Sequence, residues 1–319
     1  MKKVLLFFLA SFLLSCESRS DSDNEITAKT RSGEALELNQ DSYYGRPLAK
    51  HVFLLAIDGW AANTYEKLNV PNIKKLAADG CMTLTKRSVL PSSSAPNWAS
   101  MFMGAGTEMH GYTEWGSKTP EIPSQELNHH NIFPTIFYLL KDQHPEKEVG
   151  VLYEWEGIKY LIDYQAVDYQ KLVEYDNGDL KKKAVEYIKS SKPNLLAVIW
   201  DGPDHAGHGE GWATQSYLDK IEEVDSYIGE VIQATKDADI YKNSIFIITS
   251  DHGGINKNHG GKTDDEMHTP FIIAGKNVKE GLKINVPMMQ FDVAATIAYI
   301  FDLKRPKVWS GRPVAEVFK

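Results

Sequence analysis

Ile245-Phe246-Ile247-Ile248-Thr249-Ser250-Asp251-His252-Gly253-Gly254 is the stretch that decides the fold. Its first five residues favour strand and lack the apolar–polar alternation of a half-solvated strand. That is the pattern of a strand covered on both faces, as in a parallel sheet. The run then breaks into a carboxylate, an imidazole and two glycines. The arrangement recurs twice: Val52 to Ile57 runs into Asp58-Gly59, and Leu195 to Trp200 runs into Asp201-Gly202-Pro203-Asp204. Helical periodicity lies between these runs. Leu218, Ile221, Val224, Ile228 and Val231 make one apolar face over Tyr217 to Ala234, and Pro71 to Ala78 reads as a second helix stopped by Gly80. Alternating strands and helices predict an α/β fold, a central, mostly parallel sheet with helices on both faces.

In such sheets ligands bind beyond the carboxyl ends of the strands, where all three runs place aspartate. Carboxylates gathered there repel one another unless cations compensate. Five of the ten histidines (His205, His208, His252, His259, His268) fall between residues 205 and 268, beside Asp204 and Asp251. Mixed oxygen and nitrogen donors without a cysteine cluster suit zinc, then manganese. Ser92-Ser93-Ser94-Ala95-Pro96-Asn97-Trp98 precedes a short helix closed by Gly104. Pro96 fits the first turn, and a hydroxyl there faces unpaired N–H groups able to seat a phosphate. Serine is also a frequent helix cap; the neighbouring cation cluster makes Ser94 a candidate nucleophile.

The 319 residues, 42% apolar and 24% charged, are those of a folded globular chain, and a mean hydropathy of −0.35 excludes a multi-span membrane protein. Net charge −8 leaves no basic field for non-specific nucleic-acid binding. Two cysteines build neither a disulfide scaffold nor a thiolate zinc site. No phosphate-binding Gly-x-x-x-x-Gly-Lys loop or Gly-x-Gly-x-x-Gly fingerprint is present. At the N-terminus, Lys2-Lys3 precedes the apolar run Val4 to Leu14, too short to span a bilayer and fitting a secretory signal. Leu13-Leu14-Ser15-Cys16 resembles a bacterial lipobox. The expected organisation is a lipoprotein signal peptide over 1–15, a polar tether over 16–45 and a catalytic domain over 46–319, exported and held at the cell envelope by lipid on Cys16. Residues 112–190 are a candidate lid, with Trp115, Tyr153, Trp155, Tyr160 and Tyr164 as stacking groups or, preferred slightly, core.

From His51 to the end, the chain resembles the alkaline phosphatase superfamily and, within it, the type I phosphodiesterase/nucleotide pyrophosphatase group. The resemblance rests on Ile57-Asp58-Gly59, Ser94-x-Pro96-Asn97, Pro203-Asp204-x-x-Gly207-His208, Ser250-Asp251-His252-Gly253 and His259-Gly260-Gly261, in that order. It implies an alkaline-phosphatase-like fold, two zinc ions and a small phosphate ester as substrate. Asp204, His208 and a later histidine would hold one ion; Asp58, Asp251, His252 and the Ser94 oxygen would hold the other. Ser94 stands where these phosphodiesterases carry threonine, and Asn97 matches an asparagine that contacts the phosphoryl oxygen. His259 and His268 compete for the last ligand position, His259 being preferred. The implied reaction passes through a phosphoseryl enzyme. No arginine adjoins Ser94, which favours diesters over monoesters. Only six residues separate His252 from His259, which leaves no room for the long insertion of the nucleotide pyrophosphatases. A phosphomonoesterase, a phosphoethanolamine or phosphoglycerol transferase, a sulfatase (disfavoured by Trp98 where arginine is needed) and a non-catalytic metal- or glycan-binding envelope lipoprotein are the alternatives.

Overall fold

The computed structural model describes Leu38 and residues 45–319; the expected signal peptide, Cys16 and nearly all of the expected tether lie outside the described residues. The strands are β1 (His51–Ile57), β2 (Cys81–Arg87), β3 (Val149–Tyr153), β4 (Tyr169–Leu172), β5 (Leu195–Trp200), β6 (Ser244–Thr249), β7 (His268–Gly275) and β8 (Leu282–Lys283). They form one sheet in the order β4-β3-β5-β1-β6-β7-β2-β8, in which β7 alone runs antiparallel to its neighbours.

The unbroken apolar runs are explained by what covers them. Alternate residues of β1 enter opposite cores: Val52, Leu54 and Ala56 on one face, Phe53, Leu55 and Ile57 on the other. Helices α1 (Pro71–Ala78), α5 (Asn177–Ser191) and α7 (Gln215–Asp237) close the second face, while α2 (Ser94–Met103), α4 (Ile136–Gln143) and α9 (Asp292–Ile300) close the first. The short α3 (Thr107–His110) and α8 (Asp264–Met267) and the site helix α6 (Gly202–Glu210) complete the helical set. Helix α2 ends where expected, at Gly104, whose φ of 60° and whose closeness to the Trp309 ring both demand glycine.

The expected lid needs correction. Residues 112–190 contain α4, β3, β4 and most of α5, so the greater part is scaffold. The physical reason is burial: Tyr153 is 1% exposed and Trp155 packs against the core. The irregular stretch after α3 presents Trp115 to solvent, and Tyr164 is exposed as well.

Register, more than sequence, builds the site. Ile57 pairs with Trp200, and Ala56 with Thr249. One and two residues further along, Asp58 therefore lies beside Asp201 and Asp251 on adjacent strands. Tyr153 pairs with Ile199, so Glu154 falls at the same edge. Four neighbouring strands thus each end in a carboxylate.

Candidate active site and metal centre

Asp58, Asp204 and Asp251 converge, and each leaves one buried carboxylate oxygen without a hydrogen-bond partner: Asp58 Oδ1, Asp204 Oδ1 and Asp251 Oδ2. The other oxygens of Asp58 and Asp251 are committed. Trp98 Nε1–H donates to Asp58 Oδ2 at 3.0 Å, and Gly59 N–H donates to Asp251 Oδ1 at 3.1 Å. Gly59 is obligatory in this turn: its φ is 69°, and a Cβ would come within 2.8 Å of Asp204 Oδ1.

Three histidines meet these carboxylates in one orientation. His252 bonds the Gly253 carbonyl through Nδ1 (2.8 Å), and its Nε2 faces Asp58 (3.5 Å) and Asp251 (3.3 Å). His208 Nδ1 meets the Lys257 carbonyl (3.0 Å) and its Nε2 faces Asp204 (3.4 Å). His259 Nδ1 meets the Ser92 carbonyl (3.3 Å) and its Nε2 faces Asp204 (3.8 Å). A carbonyl can only accept, so each Nδ1 carries the proton and each Nε2 directs a lone pair into the cluster, the tautomer that binds a metal.

Ligand atoms of Asp204, His252 and His259 lie within 4.8 Å of one another, as do those of Asp58, Asp251 and His252, and those of Asp58, Asp201 and Asp204. The first two sets share His252, so they define adjoining cation positions. Orphaned oxygens, correct tautomers and mixed O/N donors all fit divalent ions of the zinc type. Electrostatics agree. Burial, then the neighbouring carboxylates, pushes Asp58 and Asp204 well above the usual carboxylate range. Burial lifts Asp251 to about 7 and depresses His252 and His259 to about 3. Bare, the cluster resists ionisation; a cation would reverse that.

Ser94 opens α2 and is 8% exposed, its Oγ 3.2 Å from His252 Nε2. The candidate nucleophile therefore touches the imidazole common to both sets. His259, not His268, stands in the cluster; His268 begins β7 and faces Asp264 at 3.9 Å. His110 is fully buried between Ser100 and Tyr112, and His205 pairs with Asp201 at 3.0 Å.

Asn97 requires a correction. Its Oδ1 accepts from Val89 N–H (2.7 Å), and its Nδ2 donates to the Ser93 (2.9 Å) and Pro91 (3.1 Å) carbonyls. Its own N–H donates to the Ser93 carbonyl. Because α2 already begins at Ser94, Asn97 lies one turn in and its side chain folds back to shape the 89–93 loop. Its polar side-chain atoms are thus committed to the backbone just before Ser94, not free to face a phosphoryl group as the resemblance implied. The helix start is correspondingly less open than expected, since Ala95 N–H donates to the Trp115 carbonyl and Pro96 has no N–H.

Two groups escaped the sequence reading. Glu154, fully buried, accepts from Asp201 N–H at 2.7 Å and, in the amide orientation that satisfies both groups, from Asn177. It thereby anchors the start of α6, which carries Asp204 and His208; burial pushes it to about 8. Its signal, Leu152-Tyr153-Glu154, is the same apolar run meeting a carboxylate. Lys86 is a fully buried ammonium that donates to the Ser250 carbonyl (2.8 Å) and to Gln290 Oε1. Burial brings it down to about 7 against the pull of Asp251 and Asp292.

The model of the family described as type I phosphodiesterase / nucleotide pyrophosphatase matches residues 52–271, a span that holds every strand-end carboxylate described above. The chain belongs to that family. Among its relatives is human ectonucleotide pyrophosphatase/phosphodiesterase family member 5, 26% identical over 220 residues, covering 65% of this chain and 46% of the relative. The chain spans about half the length, or less, of the curated relatives it matches. The structure of murine family member 5, an inactive variant in complex with AMP, superposes with a TM-score of 0.66 at 16% identity, over 85% of this chain and all of that one. A 2-O GAG sulfatase superposes at 0.69 with 13% identity, over 85% of this chain and 74% of that one. At these identities the likeness to the solved structures is one of fold.

Proposed function

We propose that the chain is a two-zinc phosphodiesterase that works through a phosphoseryl intermediate on Ser94. The observation that carries this reading is the cluster of unpaired carboxylate oxygens and Nε2 lone pairs, one of which, on His252, meets the Ser94 hydroxyl. Asp204, His208 and His259 would hold one ion; Asp58, Asp251, His252 and Ser94 the other. Bound there, two divalent ions supply the charge that ionises the serine and offsets the phosphoryl oxygens. The chain's own residues do the rest. Asn97 fixes the loop from which Ser94 attacks phosphorus in line, and the P–O bond to the alcohol breaks as the Ser94–phosphorus bond forms. Water then cleaves the phosphoseryl ester, returning the hydroxyl and releasing the phosphomonoester. Catalysis by placement and charge is what phosphoryl transfer requires.

Diesters are favoured over monoesters because, among the described residues, no arginine is bonded to Ser94; Arg87 lies at the end of β2, 3.9 Å from Asp264. A sulfatase is disfavoured because Trp98, in place of arginine, is bonded to Asp58. The Lys2-Lys3, apolar and Leu13-Leu14-Ser15-Cys16 segments support export and lipid anchoring at a bacterial envelope. Among the described residues, no helix is long and apolar enough to cross a membrane.

The test pairs metal analysis with turnover. Two zinc ions per chain and hydrolysis of bis-p-nitrophenyl phosphate are expected, with Ser94→Ala keeping its metal and losing kcat by roughly 10^3-fold or more. An Ser94→Ala protein with unchanged kcat, or a chain that takes up no metal, defeats the proposal.

A further inference from the structure

From the His208 and His259 side of the cluster a cavity of about 590 Å3 leads outward, lined by Pro91, Ser93, Glu114, Trp115, Asn258 and Gly260 as well. That volume suits the organic part of a small ester. Its outer wall carries two conspicuous groups. Trp115 is 68% exposed, the most exposed of the large apolar side chains. Glu114 beside it is exposed and, among the described residues, its carboxylate has neither hydrogen bond nor ion pair. Among the described residues, no lysine or arginine lines the cavity.

The exposure of the indole is built in. The Trp115 carbonyl accepts from Ala95 N–H (3.1 Å), which ties it to the turn that carries Ser94. Ser117 Oγ accepts from Glu114 N–H (3.0 Å) and donates to the Glu121 carboxylate (2.8 Å), which also accepts from Thr113 N–H (2.6 Å) and Thr113 Oγ1 (3.0 Å). The 113–117 turn is therefore clasped at both ends, and it holds a large aromatic ring in water on a residue whose carbonyl is bonded to Ala95, the neighbour of Ser94. An exposed indole and an unpaired carboxylate on one cavity wall, with no lysine or arginine among its described lining residues, are the chemistry that receives an ammonium group. The same wall rejects an anion. A second phosphate, as in a pyrophosphate bond or a polyphosphate chain, that reached this outer wall would face Glu114 with no lysine or arginine beside it among the described residues.

Resting on the phosphodiesterase reading above, we infer that this cavity is a subsite for a cationic alcohol, so that the chain prefers phosphodiesters bearing an ammonium or quaternary ammonium group over nucleotide esters and polyphosphates. Glu114 and Trp115 are its specificity-determining residues.

The experiment compares kcat/KM of the zinc-loaded full chain on three p-nitrophenyl diesters at fixed ionic strength. These are p-nitrophenylphosphorylcholine, the p-nitrophenyl ester of thymidine 5′-phosphate, and bis-p-nitrophenyl phosphate. The choline ester is expected to exceed the thymidine ester by about tenfold or more, and Glu114→Lys, a surface change, to erase that ratio. Trp115→Ala is expected to lower the ratio as well, whereas Trp115→Tyr, which keeps an aromatic face, should restore part of it. A thymidine ester that equals or exceeds the choline ester, or a ratio that Glu114→Lys leaves in place, overturns the inference while the phosphodiesterase reading stands. Hydrolysis of none of the three overturns that reading, and the subsite with it.

Discussion

On the floor of the site, Asp58, Asp251 and His252 are at most 1% exposed and sit on turns fixed by the pairing of β1 with β6. On its rim, the His208 side chain is 42% exposed, near the end of a nine-residue helix whose start hangs on Glu154. The two halves offer similar ligand chemistry on different mechanical terms. The floor cannot separate its carboxylates without breaking the sheet, so it stores their repulsion. The rim can give way, and so depends on residues that hold it in place. Function in this fold is thus divided between a rigid, electrostatically strained half and a supported, adjustable one.

If that division is right, removing one ligand from each half should have unequal consequences. His252→Ala is expected to cut turnover on the order of 10^3-fold at any zinc concentration, because the buried imidazole holds the ion that would ionise Ser94 and contacts the serine hydroxyl itself. His208→Ala should weaken zinc binding by roughly 10- to 100-fold and recover activity as zinc is raised. Turnover against zinc concentration for the two variants decides; parallel curves would mean that floor and rim are one unit. The stored repulsion is tested by Asp58→Asn, whose amide still accepts from Trp98 and can donate to a neighbouring carboxylate. With chelator present it should unfold at higher temperature than wild type, by about 1–2 kcal/mol of added stability, while losing activity. A lower melting temperature would show that the floor is not strained.

The rim's support is probed by Glu154→Gln, which keeps the shape but offers a single acceptor to the N–H groups at the start of α6. A loss of about tenfold in zinc affinity at the rim, with the fold intact by circular dichroism, is expected. Unchanged affinity would detach Glu154 from the site. The smallest effect concerns His110, away from both halves. Burial holds it neutral, down to about 3 in the folded chain against 6.5 unfolded, with Tyr112 N–H donating to its Nδ1. Between those values the unfolded chain binds the extra proton, so stability is full above about pH 6.5 and falls as pH drops through that window. The loss of melting temperature from pH 7 to pH 5 should shrink in His110→Gln; an equal loss in both proteins would count against the assignment.

How much of this was readable beforehand follows from the same physics. The sheet and the Asp58, Asp204 and Asp251 edge were legible because strands buried on both faces cannot hide their apolar runs, and a carboxylate ending such a run stands out. Glu154 obeyed the rule but lay in a stretch read as a lid, whose strand is interrupted by Gly150. Asn97 was misplaced because spacing gives a residue's position and not the direction in which its side chain folds. Lys86 could not be read at all. Cys81 and Thr83 point inward, so alternation sends residue 86 outward; a register shift between Thr83 and Lys86 against β7 reverses that parity and buries the ammonium. Local irregularities of pairing leave no mark in composition or period.

The carbonyl of Ser92 that orients His259 belongs to the loop carrying Ser94 two residues later. That single contact joins the segment of the attacking group to an outer ligand. Any displacement of the serine as a covalent bond to phosphorus forms would swing the imidazole as well, so progress of the reaction at one end is felt at the other without an intervening side chain.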